Sequence, residues 1–209
     1  MNYVKGLARV VGWLTVVSCT AGATEVSLSY EDFFSRIKQA DKAELQLVEL
    51  TFSVPKNAQC VLDKASIVTE KETFPVTFTK EQRLFLPYDQ RLKQDRAMVK
   101  LDIEGDASQC GIAVQIRAKA LSTNYDSQRL KQLYHEMDSL QAMLKGFPMR
   151  LFHEPLKGLQ FTFTNSSEAI LNGRSLGEAK QWTFSAAQIA EATTLGFSHA
   201  PQIISPWVK

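Results

Sequence analysis

Histidine and cysteine are rare in this chain, with three of each in 209 residues. His135, His153 and His199 stand apart, and none has a second histidine four residues away. Tyr134-His135-Glu136-Met137-Asp138 therefore lacks the His-Glu-x-x-His zinc pattern. Gly-rich phosphate loops of the Walker or dinucleotide type are absent, and no pair of carboxylates stands out. No apolar run reaches the roughly 20 residues that a membrane-spanning helix needs. Charge of one sign is not in excess either: the formal net charge is +2. Arg83, Arg91, Lys93, Arg96 and Lys100 alternate with Glu81, Asp89, Asp95 and Asp102. That is a solvated mixed surface rather than a nucleic-acid footprint. These gaps set aside nucleic-acid binding and a transmembrane helix, and they leave no cofactor or metal to expect.

What the chain does have begins at its N-terminus. Lys5 and Arg9 precede a short apolar run, Val10 to Val17, and small residues end at Ala21-Gly22-Ala23. This is the layout of a secretory signal peptide covering residues 1–23, with Thr24 as the first mature residue. A second reading exists, because Val16-Val17-Ser18-Cys19 matches a lipobox. Lipidated Cys19 would anchor the protein to a membrane. The apolar run before that box is short, so soluble release into the periplasm is favoured. Cleavage removes Lys5 and Arg9, which leaves 22 basic and 22 acidic side chains over residues 24–209.

Cys60 and Cys110 survive cleavage. An even count in an oxidising compartment predicts that they form a disulfide; the alternative is two separate buried thiols. The pair is too far apart in sequence to read as a redox Cys-x-x-Cys.

Period-two patterns predict strands over 44–54, 61–69, 74–79, 83–86, 98–104 and 111–119. A short helix is predicted over 30–40, capped by Ser29. The best helix runs from Asp126 to Lys145, with Leu130, Leu133, Tyr134, Met137, Leu140 and Leu144 on one stripe and Gly146 at its end. Strand patterning returns at 159–164 and 168–171, followed by the turn Asn172-Gly173 and a short helix over 186–192. The fold class is α+β: an antiparallel sheet or sandwich with one long amphipathic helix and short flanking helices. Residues 24–209 read as a single domain, with a possible joint near 147–158 at Pro148 and Pro155. The apolar tail 201–207 is expected to tuck against the body.

Gly173-Arg174-Ser175-Leu176-Gly177 matches the nucleophile-elbow pattern. The elbow needs a helix after it and a parallel sheet around it. Glu178-Ala179-Lys180-Gln181 is too short and polar for that helix, so a turn reading is preferred and Ser175 is expected in a loop. His135 and Asp138 could share a helix face as a partial ligand set; ordinary polar flanking of an amphipathic helix is the preferred reading.

Several features together resemble a family of exported gammaproteobacterial proteins, a domain of unknown function. They are the signal peptide, Ser29-Tyr30 opening a short helix, Gln59-Cys60 matched with Gln109-Cys110, the Leu-rich helix through Leu140 and Met143, and Gly158-Leu159-Gln160-Phe161-Thr162-Phe163. The resemblance implies a periplasmic location and the Cys60–Cys110 pairing, and it assigns no activity or site residue. Two functions remain. One is a non-enzymatic envelope module that binds an envelope protein, a lipid or a glycan. The other is a small periplasmic hydrolase using Ser175 or the His135 region.

Overall fold

A computed structural model describes residues 24–208 apart from positions 59, 107 and 109. The predicted signal peptide, with Cys19 and its lipobox, lies outside the described residues. All strand pairings are antiparallel, and they form three sheets with a few helices. The fold is α+β, as the patterning predicted.

The first sheet joins β1 (Thr24–Ser29), β6 (Met98–Gly105), β3 (Cys60–Val68) and β4 (Thr73–Pro75), in that order. Val99, Leu101 and Ile103 of β6 all point into the core, while Lys100, Asp102 and Glu104 point away. Helix α1 (Tyr30–Asp41) covers this face with Tyr30, Phe33 and Phe34. Ser29 caps it by accepting the Glu31 N–H. A bulge between Leu62 and Lys64 shifts the register of β3, so its buried positions change from even to odd numbers at Ala65.

The second sheet is small: β5 (Arg83–Leu84), β2 (Val48–Ser53) and β7 (Ala113–Ala118). It stands between two hydrophobic clusters. Val48, Ile116 and Ala118 belong to one, Phe52 and Leu84 to the other, and Leu50 packs against both. A short helix, α2 (Gln90–Gln94), is capped by Asp89 and packs near α1.

The third sheet is built on β9 (Gly158–Leu171). One edge of β9 pairs with β10 (Arg174–Ser185). Its other edge is shared by β12 (Ile203–Trp207) and β11 (Thr194–Phe197), and β11 in turn pairs with β8 (Asn124–Asp126). The apolar tail thus tucks in as a strand. Helix α3 (Ser127–Lys145) lays Leu130, Leu133, Met137 and Leu140 into the same core as Phe161, Phe163, Phe184 and Phe197. Asp126 caps α3 through the Arg129 N–H at 2.8 Å. Asn172 and Gly173 both take positive φ, the two-residue turn their identities predict. Helix α4 (Ala186–Glu191) follows β10 with a Ser185/Gln188 capping box.

Cys60 and Cys110 form a disulfide with Cα atoms 5.5 Å apart. Cys60 opens β3 and lies opposite Gly105 of β6, while Cys110 sits in the connection from β6 to β7.

Candidate interaction surface

The segment after α3 is where the chain departs most from ordinary burial. Gly146 ends α3 with φ 67°, a conformation glycine adopts without Cβ strain. A 3-10 turn then spans Met149–Phe152. Its base is tied down by α3. Asp138 Oδ1 accepts the Leu156 N–H at 2.9 Å and lies 2.9 Å from His153 Nε2. The Tyr134 hydroxyl donates to the Leu156 carbonyl at 2.9 Å, and Leu156 itself is buried. Burial pushes the Tyr134 phenol above its usual pKa, and the Asp138 charge adds to that. At the tip, Phe147 is 86% exposed, Met149 57%, Leu151 72% and Phe152 72%. Four large apolar side chains in six residues thus stand in solvent on an anchored turn, a feature that marks interaction sites.

Two cations, Lys42 and Arg150, lie beside this tip. A cavity of about 620 Å³ under the turn is lined by Gln39, Lys42, Met143, Gly146, Phe147, Arg150 and Leu151, with no carboxylate among them. Lys42, Lys145 and Arg150 make none of the ion pairs described. A second cleft of about 530 Å³ lies between β7 and β12, with Arg36 and Arg117 at its wall. The Arg117 guanidinium donates to Gln115 Oε1 from Nε (3.0 Å) and Nη2 (2.5 Å). Burial lowers its pKa, the Arg83 cation lowers it further, and Glu49 opposes both.

The residues singled out from sequence are placed as follows. Ser175 is the second residue of β10, in a strand rather than the expected loop. Its Oγ donates to Glu168 Oε1 at 2.5 Å, and the hydrogen bonds described for His153 and His199 go to Asp138 and Ser198. His135 is exposed and packs edge-on against Tyr134. Asp138, which shares that helix face, engages His153 and the Leu156 N–H. His199 lies beside Ser198. Among the described residues, no group of three or more His, Cys, Asp or Glu could hold a metal ion, and no helix is long and apolar enough to cross a membrane. The exposed tip was not predicted. Phe147-Pro148-Met149-Arg150-Leu151-Phe152 follows neither the helical nor the strand period, and a period search reads it only as a joint.

The sequence profile of one family, Protein of unknown function (DUF2987), matches residues 22–163. The chain belongs to that family. The DUF2987 match takes in the first two sheets, α3 and the apolar tip, and it stops inside β9. The resemblance seen in the sequence holds at this level, as a domain of unknown function. No curated protein and no solved structure matches the chain.

Proposed function

We propose that this DUF2987 protein is an exported envelope protein of the gammaproteobacterial periplasm and acts as a non-enzymatic binding module. The observation that carries the reading is the anchored apolar tip, Phe147 to Phe152. Leaving such side chains in water forgoes burial worth about 1.5–3 kcal/mol each, which argues that something else covers them. The disulfide supports an oxidising compartment. Cleavage after Ala23 would keep Thr24, which pairs with Ile103 in the β1–β6 ladder, so the processed chain retains this strand. No described contact favours a hydrolase at Ser175 or His135.

Two measurements test this. Intact mass of the protein from a periplasmic extract should correspond to residues 24–209 with one disulfide; an acylated Cys19 would move it to a membrane anchor. Envelope fractionation should place the wild type with a particulate fraction, and Phe147→Ser with Leu151→Ser should release it. Identical fractionation of both would sink the tip as the binding surface.

A further inference from the structure

We infer that the tip docks onto the surface of an anionic phospholipid bilayer, a step that rests on the binding-module reading above. The shape is the first reason. The apolar side chains crown a short turn at the end of α3, and the His153–Asp138 and Leu156–Asp138 contacts hold its base. A tied-down base with apolar side chains 57–86% exposed suits shallow insertion between headgroups. Charge is the second reason. Lys145 and Arg150 flank Phe147 in sequence, and Arg150 and Lys42, the residue that follows α1, line one cavity with Phe147. Apolar groups that enter the acyl boundary beside cations that stay at the headgroup level are the two signals reversible anchoring needs. The acids nearest in sequence, Asp41 and Glu154, do not line the cavity.

The test uses the processed protein with its native N-terminus and vesicles of phosphatidylglycerol mixed with phosphatidylcholine, against pure phosphatidylcholine. Co-sedimentation at 0.1 M salt should show binding to the mixed vesicles and at least about tenfold weaker binding to the neutral ones. At 1 M salt, where the Debye length falls from about 10 to about 3 Å, the difference should largely vanish. Phe147→Ser with Leu151→Ser should weaken binding by about tenfold or more. Lys145→Gln with Arg150→Gln should weaken it several-fold on the anionic vesicles only. All four positions are solvent-facing, so an unchanged melting curve verifies the fold of each variant. The proposal is overturned by wild-type protein that ignores both vesicles, by equal binding to both, or by an apolar double variant that binds as before. Sedimentation showing that the tip joins two copies of the chain would overturn it as well. If the tip variants leave the particulate fraction in cells while purified protein ignores vesicles, the binding-module reading survives and the lipid assignment falls. If neither responds, both fall.

Discussion

Replacing Cys60 and Cys110 together by alanine removes one covalent link between positions 50 residues apart. In the folded state the link is partly redundant. Cys60 already lies opposite Gly105 in the β3–β6 ladder, five residues before Cys110. The loss therefore falls mainly on the unfolded chain, which regains the freedom of a closed loop of that length. The chain-entropy estimate is about 4 kcal/mol. Cys60 is fully buried, so loss of sulfur packing adds about 1 kcal/mol. For a chain of this size each kcal/mol moves the midpoint by about 2–4 °C, giving a fall of about 10–20 °C. Circular dichroism melts of wild type, both single variants and the double variant measure it. Cys60→Ala should nearly match the double, and Cys110→Ala should fall by about 2–4 °C less, because either one breaks the bridge but only the former loses the buried Cys60 sulfur. A non-reduced peptide map must show the wild-type bridge intact. With the bridge intact, a midpoint shift under about 2 °C would refute the unfolded-state argument. Two free thiols in freshly isolated protein would refute the bridge itself.

Three further outcomes are expected. Gly158→Ala should destabilise by more than about 3 kcal/mol, since a Cβ there would overlap the Phe184 carbonyl oxygen and sit 2.9 Å from Ser185 Cα; a urea midpoint close to wild type would contradict it. Gln82→Met should cost about 2–4 kcal/mol. It leaves the buried Leu62 N–H without its acceptor at 2.7 Å and takes a donor from the Val54 and Cys60 carbonyls, and a loss below about 1 kcal/mol in denaturant unfolding would count against it. At alkaline pH, burial holds the Tyr30 and Tyr125 phenols above their ordinary value. The neutral forms favour the fold up to about pH 10, and that contribution is lost as pH rises through the folded values. Tyrosinate absorbance should therefore rise together with loss of the far-ultraviolet signal; full ionisation with the native spectrum retained would contradict it.

Much of the architecture was legible where burial is one-sided. Val99, Leu101 and Ile103 alternate because β6 has one wet face, and α3 shows its period and both caps because it lies on a sheet. Legibility fails where that condition fails. Most of β10 is exposed on both faces, so Arg174 to Gln181 carries no apolar alternation and reads as loop. β9 continues through Asn165-Ser166-Ser167, where polar residues suggest a gap, although its pairing with β10 shifts register there, from Thr162 opposite Gln181 to Ser167 opposite Ala179. In β3 the bulge switches the phase midway. The strand expected over 74–79 is reduced to Thr73–Pro75; beyond it Val76 still donates to the Ala65 carbonyl, and Phe78 then turns to bridge Leu84 of β5. The short elements α2, β8 and β11 hold too few residues to display a period. The interaction surface was invisible for a related reason: an apolar residue meant for a partner looks the same in sequence as one meant for the core.

β9 has neighbours along both edges, and this bears on how the family should be handled at the bench. The family profile matches this chain only as far as residue 163, in the middle of that strand. A product cut there would keep Gly158 to Phe163 and lose the strands on either side of it. The Tyr125–Phe161 pair would lose Phe184 and Phe197 from its ring cluster. The apolar stripe of α3 would lose most of the sheet it rests on, and the bare edges of β9 would be open to pairing with other chains. The unit to express is set by the hydrogen-bonded ladder, and it runs through Trp207.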